Sequence, residues 1–288
     1  AVLGPTIESI ARAKAGIIKT GVPVVLAPQV EAALEVVLAA ALHHQAPVTQ
    51  VGTDIRWSAD DTEEDFQQVD LTTRSGNYHI KLPLTGDHQA ENAAVAVATG
   101  EIFLGARLDP EAVIRGLAEV RWSGRLEHMI WNDLEVIVDG AHSPYAMQRM
   151  VDALYHKINP DHTVIVVGAL TGHDLFETLR PLRRLSTRAY AVRSHHPRAE
   201  SAQTVATALQ REGFTVLGTD DSIASAMHVA SAEAAGSRRQ KLIATGSLSV
   251  VAEVIAFVKG ISFETYPTIR GQITDQLAPE IDSSHTVR

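Results

Sequence analysis

Five side chains have types and positions that could do chemistry: Lys14, Asn92, Arg125, Asp139 and His142. Asp139 closes the apolar run Val136-Ile137-Val138. A carboxylate at the end of a buried strand is costly unless a ligand or a hydrogen-bonding partner meets it. His142 follows three residues later, in Asp139-Gly140-Ala141-His142; by itself a loop histidine is more often structural than a ligand. Arg125, within Trp122-Ser123-Gly124-Arg125-Leu126-Glu127, reads on its own as a solvated guanidinium. His88 and Asn92 are four apart, hence on one helical face, and by default mark a capped helix start; Gln89 between them fits a structural role. Lys14 lies near a helix C-terminus, where a cation favours the dipole. Ser247 fits a helix cap better than a substrate contact. His195, His196 and Arg198 offer a metal or anion site or, more simply, a solvated loop.

The elements that must position these residues follow from periodicity. In the first half, apolar spacing predicts helices over 7–15, 31–44, about 92–104 and 109–120, with strands at 22–26, 48–51, 55–58 and 79–82. Asp60 to Asp65 reads as a solvated acidic loop, and Arg74-Ser75-Gly76-Asn77 as a hairpin signal. From Leu126 onward, strands at 136–139, 163–168, 189–192, 214–217 and 242–245 alternate with helices at 145–157, 175–185, 202–211, 223–235 and 250–258. Strict alternation predicts an α/β, Rossmann-like layout, a mostly parallel sheet with helices on both faces. Ligands of such sheets sit at the carboxyl ends of the strands. Those ends carry Asp139 to His142, Gly168 to Leu170, Ser194 to His196 and Gly246-Ser247. No internal repeat is present.

Composition narrows the class of activity. With 288 residues, Lys+Arg 25 against Asp+Glu 34 and a net charge of −9, the chain is acidic, which argues against bulk nucleic-acid binding. Zero cysteines exclude disulfides, thiolate zinc sites and a cysteine nucleophile. Neither a membrane-length apolar run nor a signal-peptide pattern occurs, so a soluble, cytoplasmic protein is expected. No G-x-G-x-x-G follows a strand, which leaves a dinucleotide reading weak, and no G-x-x-x-x-G-K-[ST] occurs.

Five segments, in order from the first residues to about Val258, resemble the folylpolyglutamate synthase/dihydrofolate synthase family, relatives of the Mur ligases. Leu3-Gly4 with Ile10 to Pro23 is similar to its lysine segment, and Leu82 to Asn92 to its adenine-side segment. Trp122 to Glu127 is similar to its WPGRLE signature, Val138 to Pro144 to its DGAHNP motif, and Thr245 to Leu248 to its closing strand. The resemblance implies a P-loop central ATPase domain followed by a Rossmann-like C-terminal domain. It implies ATP-dependent addition of L-glutamate to a folate or dihydropteroate carboxylate through an acyl phosphate. By resemblance, Lys14 is carbamylated and ligates Mg²⁺, Asn92 contacts adenine, Arg125 and His142 reach the ATP phosphates, and Asp139 bonds the ribose.

Two departures stand out: Ser143 replaces the motif's Asn, and His173-Asp174 fall where the family carries Asp-Lys-Asp, so no role is transferred there. With the P-loop motif absent, the expected organisation is the back half of an enzyme with little ligase activity alone. Residues 1–122 would be the end of the central domain, 123–262 the C-terminal domain and 263–288 a flexible tail. The expected full-length form is a monomer; the acceptor, dihydropteroate or folylpolyglutamate, stays open. The competing readings are a Mur-type cell-wall amino-acid ligase and a noncatalytic Rossmann-like binding module.

Overall fold

A computed structural model of the chain describes residues 4, 6–60, 66–172, 174–234 and 240–262. The tail 263–288, most of the acidic loop and His173 lie outside the described residues. The first half builds two small sheets. Helix α1 (Ile7–Ala15) starts where Thr6 and Ser9 each accept the other's backbone N–H. Strand β1 (Val24–Leu26), helix α2 (Glu31–His43) and strand β2 (Val48–Gln50) follow, with β1 parallel to β2. Pro23 has no N–H to donate, and β1 begins just after it rather than at Val22.

Strands β3 (Arg56–Asp60), β4 (Gln67–Thr72) and β5 (Asn77–Leu82) form an antiparallel meander. Its inward side chains, Val69, Leu71, Tyr78, Ile80 and Leu82, pack against the alanine-rich face of α3 (Asp87–Leu104). Small residues on that face let the helix lie close to the sheet. Buried Gln67 ties the next loop down, its Nε2 donating to the carbonyls of Leu84 (2.5 Å) and Gly86 (3.1 Å), just ahead of α3. Helix α4 (Pro110–Ala118), capped by Asp109, completes this half.

The second half is one six-stranded sheet. In chain order its elements are β6 (Glu127–Trp131), β7 (Leu134–Val138), α5 (Pro144–Leu154), β8 (Thr163–Val167), α6 (Leu175–Leu179), β9 (Arg188–Val192), α7 (Ala202–Arg211), β10 (Thr215–Asp220), α8 (Ile223–Ala234), β11 (Lys241–Thr245) and α9 (Leu248–Lys259). The spatial order is β10-β9-β8-β11-β7-β6, parallel throughout except for the β6–β7 hairpin at one edge. Helices α5, α6 and α7 cover one face and α8 and α9 the other. Central strands are buried on both sides, every residue of β8 included, which is why they read as continuous apolar runs.

The predicted helix over 175–185 is in fact α6 followed by a tighter 3₁₀ turn, Arg180–Arg184. Pro181 supplies no N–H to continue the α-helical ladder. Strands β4 and β6 were not anticipated. Among the described residues no helix is long and apolar enough to cross a membrane.

Candidate active site

The topology makes a crevice. Strand β11 lies between β7 and β8, yet β7 feeds α5 on one face while β11 feeds α9 on the other. Loops diverging from adjacent parallel strands leave a cleft at their carboxyl ends. Asp139 sits there, 4% exposed. Its Oδ1 accepts the Ala141 N–H at 2.8 Å and its Oδ2 the Leu126 N–H at 3.0 Å. Burial pushes its pKa up, opposed by these two N–H groups, Arg125 and His142. The carboxylate thus has the partners its burial demands, and each oxygen keeps a second lone pair for a ligand hydroxyl.

The same bonds shape the arginine loop. Leu126 has a φ of 44°, a strained value for a residue with a Cβ, and its N–H is held by Asp139. Gly140 donates its N–H to the Gly124 carbonyl at 2.9 Å, zipping the two loops together. Arg125 is half-buried over Gly140: a Cβ there would stand 3.6 Å from its Nη1 and would collide with Leu248. His142 is exposed, and its Nδ1–H donates to the Gly140 carbonyl at 2.9 Å. Ser143 caps α5, accepting the Ala146 N–H at 3.3 Å, a role its hydroxyl fills as an Asn side chain does.

Residues of the first half meet this cleft at the start of α3. The N-cap there is Gly86, which offers no side-chain cap, so the capped start expected around His88 and Asn92 is not what forms. His88 is half-buried and its pKa is lowered to about 4 by burial, then by Arg149 and Arg125, with Asp87 pulling the other way. Asn92 is exposed and donates Nδ2 to buried Gln89 Oε1 at 3.2 Å. A Cβ on Gly86 would lie 2.8 Å from Ala153 Cβ, so α3 and α5 touch here. Arg149 of α5 lies 3.5 Å from Glu91 of α3.

Lys14 stands apart from these residues. It is exposed on the last turn of α1, lining an apolar groove of about 640 Å³ with Ile7, Ile17 and Val22. None of Asn92, Arg125, Asp139 and His142 lines that groove. Among the described residues no three His, Asp or Glu side chains are grouped to hold a metal. That includes the His195-His196 loop, which is organised differently: Glu253, buried on α9, accepts the His195 N–H at 2.7 Å and pairs with its Nδ1 at 2.8 Å. Ser247 caps α9, accepting the Val250 N–H at 3.1 Å, and Asp174 caps α6.

Comparison with known proteins decides the family. Residues 124–252 match the Mur ligase, glutamate ligase domain. This region belongs to the Mur ligase superfamily. Within it, the similarity is to the folylpolyglutamate synthase/dihydrofolate synthases. The dihydrofolate synthase/folylpolyglutamate synthase of Mycobacterium tuberculosis is 32% identical over 240 residues, 79% of this chain and 49% of the relative. The structure of Mycobacterium tuberculosis folylpolyglutamate synthase with ADP and AMPPCP superposes with a TM-score of 0.82 at 30% identity, over 91% of this chain and 61% of that one. A cell-wall relative, the UDP-N-acetylmuramoyl-L-alanyl-D-glutamate–2,6-diaminopimelate ligase of Corynebacterium efficiens, is 33% identical over only 46% of this chain. The chain spans half or less of the length of the first curated relatives it matches.

Three contributors escaped sequence reasoning. Gln67 is a buried polar residue inside an apolar alternation, a signal that was present but unread. Arg149 and Glu253 lie on amphipathic helices, where a charged residue looks like solvated surface until the fold shows what it faces.

Proposed function

We propose that this chain supplies one side of the ATP site of a ligase that joins L-glutamate to a folate or dihydropteroate carboxylate. The observation that carries the reading is the convergence of the α3 start with Arg125, Asp139 and His142 at one strand-end cleft. The buried carboxylate of Asp139 is suited to accept a ribose hydroxyl. Arg125, and His142 when protonated, bring positive charge to the phosphates, and Asn92 presents an amide suited to an adenine edge. Attack of the acceptor carboxylate on the γ-phosphate gives an acyl phosphate and ADP; the amine of glutamate then displaces phosphate. Such transfer depends on positioning and charge neutralisation, which a guanidinium held over Gly140 is placed to give. The described residues do not make a Mg²⁺ site by themselves; a carbamylated Lys14 would contribute one oxygen ligand.

The folate reading is preferred to the cell-wall one because the folate relatives match both halves of the chain, whereas the cell-wall relative matches under half of it. The test is a ligase assay on the protein expressed from its complete gene. ADP release that needs both glutamate and a pteroate acceptor, lowered about 100-fold in Arg125→Ala, is expected. Release that needs a muramyl nucleotide instead, or none with either acceptor, overturns the proposal.

A further inference from the structure

Two guanidiniums, rather than one, face the start of α3. Arg149 lies 3.5 Å from Glu91, with 28% and 18% of the two side chains exposed. The Arg149 Nε is buried and has no hydrogen-bond partner among the described residues. A guanidinium carries five N–H donors, and a buried donor left unmade is unfavourable, so this side chain is under-used by the protein alone. Arg125 lies over Gly140 and forms no ion pair with a described residue. Both guanidiniums are close enough to His88 to act on it, together with its burial, and the imidazole stays neutral at pH 7. Nearby carboxylates do not cancel this pair: Asp152, on which Arg149 also acts, is already engaged by Arg184 and Gln148, Asp87 is exposed, Asp139 is bound to two backbone N–H groups, and Glu91 makes only a long contact.

We propose that Arg149 is a second phosphate-binding residue, which with Arg125 grips the phosphates of a nucleotide lying across the α3–α5 junction. The proposal deepens, and rests on, the ATP-site reading above. The chemistry favours phosphate because a planar guanidinium can donate two parallel N–H bonds to a tetrahedral oxyanion. Glu91 then acts as a positioning residue, holding Arg149 toward α3 until phosphate oxygens displace it.

Calorimetry on this chain at low salt, with ADP, adenosine and pyrophosphate as probes, tests the assignment. Arg149→Ala should weaken ADP and pyrophosphate binding by about 10- to 100-fold and leave adenosine binding unchanged. Arg149→Lys, which keeps the charge but loses the planar fork, should fall between, and it carries the comparison if the alanine variant does not fold. An independent readout is the His88 imidazole followed by NMR: its pKa should rise in Arg149→Ala, and rise in the unaltered chain when pyrophosphate binds. Equal loss of ADP and adenosine would mean Arg149 only supports the fold and would overturn the proposal, as would ADP binding unaffected by either variant. Pyrophosphate bound through Arg149 without ADP affinity would retain the phosphate locus and remove the nucleotide reading. A chain that binds neither probe overturns both.

Discussion

The six-stranded sheet and the β1–β2 pair are both parallel, but they are covered very differently. Every residue of β8 is buried between two layers of helix, whereas no residue of β1 or β2 is fully buried. The contrast extends to the side chains around them: Ile165 is 0% exposed, while Ile17, beside the apolar groove at α1, is 80% exposed. A parallel strand normally needs cover on both faces, so the two regions should differ in how rigidly they hold their residues. Asp139, Arg125 and His142 belong to the fully covered region or its rim. Lys14 belongs to the open one, and its chemistry depends on whatever packs against that groove.

The comparison is broken most sharply by core truncation. Ile165→Ala should cost about 3–4 kcal/mol in urea unfolding, since a fully buried β-branched residue leaves a cavity it cannot collapse. Ile17→Ala should change stability by less than about 0.5 kcal/mol. Equal effects would mean that the two regions are equally packed.

Next in size is Asp139→Ala, which strands the Leu126 and Ala141 N–H groups and removes the hold on a strained φ. A loss of about 2–3 kcal/mol is expected, with faster hydrogen exchange at those two amides. Exchange rates left unchanged would show that Asp139 does not anchor the arginine loop.

At the α3–α5 junction, His88 gives a pH signature. Its folded-state pKa is lowered to about 4 from 6.5. Above 6.5 it is neutral in both states; between 6.5 and about 4 only the unfolded chain takes up the proton, so stability falls as pH drops through that window. The expected loss is on the order of 2 kcal/mol after allowance for partial exposure, and His88→Gln should flatten this part of the stability–pH curve. A curve identical in the variant would place the effect elsewhere.

How much of this was legible beforehand differs by region too. The parallel strands at 163–167 and 241–245 announced themselves because burial on both faces demands unbroken apolar runs. Strand β6 did not, because its Glu127, His128 and Trp131 sit at a sheet edge with one open side. Asp139 was flagged for the right physical reason, a carboxylate at a buried strand end. Its partners were invisible, because they are backbone N–H groups, one of them thirteen residues earlier. Ser247 read correctly from a local rule, since a cap needs only its own first turn, whereas Ser143 read only as a motif departure and its cap on α5 came from the structure. Arg149 and Gln67 did not, because what each one faces is set by tertiary packing.

The most direct test of the central claim is a crystal structure of this chain with AMPPCP. The account predicts the ribose against Asp139, the phosphates between Arg125 and Arg149 with His142 at the rim, and the adenine toward Asn92. A nucleotide bound away from the strand-end cleft, or bound in it without contact to Arg125 and Asp139, would contradict it.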